Sequence, residues 1–410
     1  MSPHRLEQGT WPHVIVLDPF TAGLAVARRM ARLGARVTLF LEPADRWVAH
    51  TKHVETVVAP FADGQTWLDE LHRVAADSGQ AIVLPATDRS CNLLLRSAIQ
   101  LLPENLLAFE RSGHAHIALM DKEQADGIAR RASVPVPWTA SVKSMGELEA
   151  VADDAPWPCV VKPVFSHEWR ERYGQARVFI ASDVHEASRL LSRPLQDGMG
   201  MLLCQYIPGG DDDVEEAIVV RLADGSYPVS FGCRKLRQNP PGFGATALGE
   251  ASPLPETTAI AKHVLDEAGF VGVAGVETKR NAETGERWFL EVNVRIPGQW
   301  GLGDTCGVEA TTRLVKALTG RSLGPQPALR GGARIVVPDA DAPVVLQALR
   351  ATPSKKRPAF LLSTALSYRH TRNFGLLDPH DPGPGLAFVA MLASRRLVSL
   401  FAGIRARSGR

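Results

Sequence analysis

The chain has 410 residues, 45% of them hydrophobic, and its 46 Lys+Arg against 44 Asp+Glu leave a formal charge of +2. That length suffices for two or three compact units, and so even a charge gives no ground for nucleic-acid binding. The five cysteines, at 91, 159, 204, 233 and 306, form no CxxC pair or zinc spacing, which argues against a disulfide scaffold and suits a reducing compartment. No secretory pattern opens the sequence and no stretch of about 18 apolar residues is free of charge, so a cytoplasmic protein is expected.

In chain order, His13 to Leu17 reads as an apolar strand, Ala22 to Leu33 as a helix, Arg36 to Leu41 as a second strand and Ala81 to Pro85 as a third. Strands alternating with helices predict a small parallel sheet of Rossmann type. The turn Asp18 to Gly23 stands where a dinucleotide loop carries its glycines but has only Gly23, which argues against nicotinamide binding. Asp88 follows the strand ending at Pro85; it suits either a ligand site beyond a strand end or, the favoured reading, the cap of a helix starting at Arg89 or Ser90.

A second unit opens at Asp121-Lys122, with a helix over 121–133, a break at Val134 to Pro137 and a short helix from Met145 to Val151. Pro158 to Pro163 is an apolar strand delivering Lys162 at its end. An ammonium there suits an anion in a cleft better than it suits solubility; a surface lysine is the competing reading. Residues 165–177 are polar and aperiodic, either a loop over phosphates using Ser166 or a plain hairpin loop. Met201 to Gly210 is an apolar strand running into a turn, and the acidic Asp211 to Asp213 precedes a further strand from Val214 to Leu222.

The richest segment is Trp288 to Arg295. Alternation on a strand puts Glu291, Asn293 and Arg295 on one face. A carboxylate and an amide oxygen are hard ligands for Mg²⁺, and a guanidinium can fork onto a phosphoryl or carboxylate group. Glu277 ends the apolar strand Val271 to Val276, and Asn281 to Gly285 turns the chain back, so Glu277 can oppose Glu291. Two carboxylates facing each other call for a cation. A strand from Pro228 to Cys233 leads to Arg234 and Lys235, the next cationic candidates, and the Gly-x-Gly at 242–244, after Pro240-Pro241, reads as a substrate-side loop. Ile296 to Glu309 reads as a loop entering a helix from Ala310 to Leu318, with Cys306 structural because no base accompanies it.

The order Asp121-Lys122, Val161-Lys162-Pro163, Gln205 to Gly209, Glu277 and Glu291-Val292-Asn293-Val294-Arg295 resembles the ATP-grasp superfamily over roughly residues 10–325. The resemblance implies a mixed α/β and α+β fold: a Rossmann-like pre-ATP-grasp domain (1–115), a two-lobed ATP-grasp clamp with antiparallel sheets (116–325, smaller lobe about 140–205) and a C-terminal extension packing on the clamp (326–410). It further implies that Lys122 and Lys162 contact ATP phosphates and that Gln205, Tyr206 and Ile207 meet the adenine edge. Asp211 or Asp213 holds the ribose, and Glu277, Glu291 and Asn293 hold Mg²⁺, with Mn²⁺ as the alternative ion. Arg295, with Arg234 and Lys235 behind it, is the expected catalytic group. The implied reaction converts a small carboxylate into an acyl phosphate that an amine attacks, releasing ADP and phosphate. A silent nucleotide-binding scaffold and an ATP-dependent carboxylase or kinase are the alternatives.

The last 80 residues carry expected strands at Gly332 to Val337 and Ala359 to Tyr368. An apolar terminal helix over Leu386 to Phe401 follows, with Arg395, Arg396, Arg405, Arg407 and Arg410 near its end. Docking of this helix on its own core is expected over peripheral membrane contact. The partners expected are the small-molecule acid and amine, with a homodimer as the protein partner.

Overall fold

The computed structural model describes residues 11–60, 64–96, 103–109, 113–164, 169, 172–173 and 178–394. Strands β1 (His13–Leu17), β2 (Val37–Leu41), β3 (Glu55–Val58), β4 (Ala81–Pro85) and β5 (Leu106–Leu107) form a parallel sheet in the order β3-β2-β1-β4-β5. Every residue of β1, β2 and β4 is buried, as befits a parallel sheet covered on both faces. Strand order reverses around β1, so the crevice beyond the ends of β1 and β4 is a topological switch point. The helix Phe20–Arg32 lies close on β1 because Gly23 has no side chain; a Cβ there would stand 2.6 Å from Val16 Cγ1. The turn entering that helix holds Asp18 and Phe20 at φ of 54° and 33°. Asp18 is pinned by the Thr87 hydroxyl at 2.6 Å and by Arg89 at 3.0 Å.

Strands β6 (Thr139–Val142), β7 (Cys159–Pro163), β8 (Phe179–Ala181) and β9 (Met201–Gln205) make a small antiparallel sheet, ordered β6-β9-β7-β8. Its helices start where the sequence supplies caps: Ser144 accepts from Glu147 N at 3.2 Å and Asp183 from Glu186 N at 2.8 Å. The third sheet has seven strands: β10 (Val214–Arg221), β11 (Val229–Asn239), β12 (Ala245–Ala251), β13 (Gly272–Arg280), β14 (Arg287–Asn293), β15 (Arg334–Val336) and β16 (Thr371–Asn373). Their order is β14-β13-β10-β11-β12-β15-β16, antiparallel except for the last pair. Alternation along β10 divides its core contacts: Ala217 and Val219 join Ala261, Val264 and Phe270 on one face, while Ile218 and Val220 join Trp300 and Leu314 on the other. This second cluster also contains Val14, Val16 and Leu24, so the N-terminal sheet and the large sheet share one core.

The structure corrects three sequence expectations. The strand expected to end at Cys233 runs on to Asn239 as β11, so the turn before β12 spans only residues 240–244. A short helix, Trp300–Thr305, interrupts the expected loop before the helix Ala310–Leu318. The segment expected as a strand at Ala359 to Tyr368 is the helix Arg357–Ser367, started by Pro358 at its second position and built of alanine and leucine, strong helix formers that no sheet edge competes for. The terminal helix covers residues 383–394 and docks Phe388 on Trp47 at 5.0 Å; Arg395 and the arginines beyond it lie outside the described residues. Just before it, Asp381 meets buried Arg28 at 2.8 Å, fastening the C-terminal segment to the first helix. Among the described residues, no helix is long and apolar enough to cross a membrane.

Two buried histidines tie stability to pH. His13 sits 2.6 Å from Ser78 Oγ and 2.8 Å from Thr38 Oγ1, and burial, helped by the Arg36 charge, pushes it down to about 4. His116 lies against Phe270 with ring centroids 4.5 Å apart, and burial likewise pushes it down to about 4. Because the folded values lie below the unfolded value of about 6.5, both contribute fully above that pH and lose their contribution as pH falls toward 4. Urea unfolding should therefore show stability falling between pH 6.5 and 4.5, and His116→Leu should flatten the decline by on the order of 2 kcal/mol. Parallel pH profiles for the two proteins would remove His116 from this account.

Candidate active site

A cavity of about 770 Å³ opens where the three sheets meet. From the small sheet it takes Lys162, Cys204 and Gln205; from the large sheet Glu216, Lys235, Gln238, Glu277, Lys279 and Glu291; from the N-terminal sheet Phe20 to Ala22 and Ala86 to Asp88. The crevice at the switch point is thus one end of the same cavity.

Register decides its chemistry. Glu291 pairs with Glu277 across β14 and β13, and Glu277 pairs with Glu216 across β13 and β10. Three carboxylates therefore stand side by side on neighbouring strands, which run about 4.8 Å apart. Glu277 and Glu216 are buried and Glu291 is exposed to the cavity. Burial, reinforced by Glu277, pushes Glu216 up to about 8, and its Oε2 has no hydrogen-bond partner among the described residues. Burial also raises Glu277 against the opposing pull of Lys235. Lys235 Nζ, itself buried, donates to Glu277 at 2.8 Å and to the Gly244 carbonyl at 3.3 Å. Room for the Glu216 carboxylate comes from Gly275, where a Cβ would stand 2.1 Å from Glu216 Oε1. This row suits a cation, yet no three His, Cys, Asp or Glu side chains are grouped to hold one among the described residues.

Beyond the row, Arg295 donates from Nε to Asp88 at 2.6 Å and from an η nitrogen to Asn293 Oδ1 at 3.3 Å. Asp88 is thus the first residue of its helix and the partner of Arg295, while the cap is Thr87, whose hydroxyl accepts from Ser90 N at 3.2 Å. That corrects the cap reading of Asp88. Lys122 Nζ donates to the Leu290 carbonyl at 3.2 Å, and burial and the neighbouring Lys122 ammonium lower the pKa of Lys162. Two cations held this close favour an anion between them.

Gln205, Tyr206 and Ile207 also line the cavity, but the Gln205 side-chain oxygen already accepts from Trp138 N at 3.2 Å. Three expected residues are not in its wall. Arg234, one position from Lys235, faces the opposite side of β11 and pairs with Glu250 at 2.9 Å. Asp211 holds the turn after β11, accepting from Gln238 N at 2.9 Å and Gly242 N at 2.6 Å. Asp213 pairs with Arg280 at 2.6 Å. Ser166 lies outside the described residues.

No family model matches the sequence. Over 185 residues, 43% of this chain, it is 25% identical to the N-terminal section of the carbamoyl phosphate synthase large chain of Methanopyrus kandleri. The chain spans only 31% of that relative's length. Among solved structures, it is similar to Staphylococcus aureus N5-carboxyaminoimidazole synthetase complexed with ADP (TM-score 0.61, 15% identity, 80% of this chain and 83% of that one). It is also similar to the L-amino acid ligase of Bacillus licheniformis (TM-score 0.56, 18% identity, 75% and 74%). The chain has an ATP-grasp fold. In this ATP-grasp clamp the small sheet carries Lys162 on one wall, and the large sheet carries the carboxylate row on the other.

Sequence reasoning missed Glu216, Lys279, Asp126 and the Thr246–Gln299 hydrogen bond, all lining the cavity. For Glu216 a signal was present: a charged pair, Glu215-Glu216, inside an otherwise apolar strand. Alternation sends Glu215 to Arg287 at 2.8 Å and Glu216 into the cavity.

Lys235→Met leaves the buried Glu277 carboxylate without its countercharge and should cost about 3–5 kcal/mol in denaturant unfolding. Arg234→Met leaves Glu250 its second partner, Arg334 at 2.7 Å, and should cost within about 1 kcal/mol. Equal losses would contradict the placement of Lys235 as the internal counterion.

Proposed function

We propose that this protein is an ATP-dependent ligase that activates a small carboxylate, an amino acid or similar, as an acyl phosphate and couples it to an amine. The observation that carries this reading is the cavity itself, which brings the adjacent Lys122 and Lys162 together with a carboxylate row beside an arginine. Names among the similar proteins agree: one is a ligase of amino acids, one is an ADP complex, and one makes carbamoyl phosphate.

Lys122 and Lys162 bind the ATP phosphates, and Tyr206 and Ile207 border the adenine. Lys279 sits 5.3 Å from the Tyr206 ring centroid and adds a cation on that side. Glu277, Glu291 and Asn293 are the residues that would hold Mg²⁺, which supplies charge neutralisation on the phosphates. The unpartnered Glu216 oxygen and the crowding of like charges fit such a cation. An oxygen of the substrate acid attacks the γ-phosphorus and ADP leaves with the bonding electrons. The amine then attacks the acyl carbon, phosphate departs, and the amine gives up a proton. Arg295, fixed between Asp88 and Asn293, orients and stabilises the transferring phosphoryl group. At the far end the unpartnered oxygen of Asp339 offers an acceptor to the incoming amine.

Lys162→Ala removes a charged contact, so calorimetry should record ATP binding weaker by about 1.5–3 kcal/mol. Unchanged affinity would return Lys162 to a surface role.

The reaction itself is tested with ATP, Mg²⁺, hydroxylamine and a panel of amino acids and other small acids. Hydroxylamine intercepts an activated acyl group, so the correct acid should yield a hydroxamate together with ADP. Glu291→Ala should abolish both products with the fold intact. Arg295→Lys should lose much of the rate, because a point charge does not reproduce a planar fork. Acid-dependent ADP without hydroxamate, and without oxygen transfer from the acid to phosphate, would refute the acyl-phosphate route.

A further inference from the structure

Between Asp341 and Asp378 the sequence contains no acidic residue and six basic ones, Arg350, Lys355, Lys356, Arg357, Arg369 and Arg372. The full chain carries a formal charge of only +2, so this segment is strongly basic while the remainder is net acidic. It folds as two packed helices, Pro338–Ala351 and Arg357–Ser367, joined at a turn holding Lys355 and Lys356. The second helix, RPAFLLSTALS, buries none of its residues. Leu361, Leu362 and Leu366 are 50%, 62% and 55% exposed, and Leu346 of the first helix is 46% exposed. Leucines in this number on one hairpin are not scattered surface residues.

The hairpin is fastened at its base. Arg237 pairs with buried Asp341 at 2.7 Å and donates to Ser367 Oγ at 2.8 Å, and Tyr368 hydrogen-bonds Asp341. Arg334 donates to the Ser367 carbonyl. Apolar side chains near cations that have no ion pair among the described residues, on a hairpin held at its base, match a surface that is apolar beneath and negatively charged above.

We propose that the hairpin 338–367 docks this protein on an anionic lipid bilayer, with Leu361, Leu362 and Leu366 entering the interface and Lys355, Lys356 and Arg357 meeting the headgroups. Charge complementarity selects this occupant: polybasic segments are drawn to anionic leaflets, and exposed leucines add apolar burial. A second copy seated face to face would bring the same cations against each other. Val337, Asp339 and Ala340, at the root of the first helix, line the active-site cavity, so docking places one end of that cavity close to the bilayer.

The test uses the full chain and sedimentation with vesicles of phosphatidylcholine, alone or with about a third phosphatidylglycerol. The protein should bind the anionic vesicles, bind the neutral ones weakly, and be released by raising salt from about 0.1 M to 0.5 M. The triple variant Lys355→Gln, Lys356→Gln, Arg357→Gln should lose on the order of a hundredfold in partitioning, from roughly fivefold per charge. Leu361→Ser with Leu366→Ser should also weaken binding, while both variants keep native circular dichroism and ATP affinity. Absence of binding to anionic vesicles would overturn the proposal, as would equal binding by the charge variant. So would a dimer in solution that the leucine variant converts to monomer without any vesicle binding, since the apolar face would then belong to a second copy.

Discussion

The register that stacks Glu216, Glu277 and Glu291 on three neighbouring strands is the constraint to which the rest of the site is fitted. Burying like charges side by side is unfavourable unless each is neutralised, and two devices share the work. Lys235 reaches across from β11 to Glu277, and burial beside Glu277 pushes the Glu216 pKa up to about 8, which favours its neutral form. The exposed member, Glu291, is left facing the cavity, where the cation that accompanies a polyphosphate would complete the balance. Even the backbone is fitted to the row, since any side chain at Gly275 would collide with Glu216.

The cavity's cations sit beside its carboxylates: Lys162 comes from the small sheet, while Lys122 donates to the Leu290 carbonyl of β14, next to Glu291. Asp88 holds the Arg295 guanidinium from the helix that follows β4, so the N-terminal unit is part of the site's geometry. Its shared core with the large sheet makes that contact rigid, because Val14, Val16 and Leu24 pack in the same cluster as Ile218, Phe231 and Trp300.

Much of this was legible in the sequence because it depends on local pattern. Alternation placed Glu291 and Asn293 correctly, the turn at Asn281 to Gly285 put Glu277 opposite Glu291, and an apolar strand ending in Lys162 pointed to a cleft. What escaped depended on long-range register or on competing partners. Arg234 and Lys235 looked equivalent until strand pairing sent them to opposite faces, and Asp211 found three protein donors in a turn no local rule specifies. The helix Arg357–Ser367 was misread because an apolar run of that length suits a buried strand as well as a helix, and periodicity cannot separate them.

That misreading has a physical meaning of its own. An apolar run is normally informative because water forces it inside, yet no residue of this helix is fully buried. Leaving Leu361, Leu362 and Leu366 about half exposed forgoes on the order of 1 kcal/mol per side chain relative to full burial. The proposed bilayer contact would recover part of that loss. The cations clustered beside the leucines narrow what can do so, because they repel a copy of themselves and attract a negatively charged surface. The hairpin's rigid fastening through Arg237 and Asp341 carries the same requirement back to β11, the strand that also presents Lys235 to the carboxylate row.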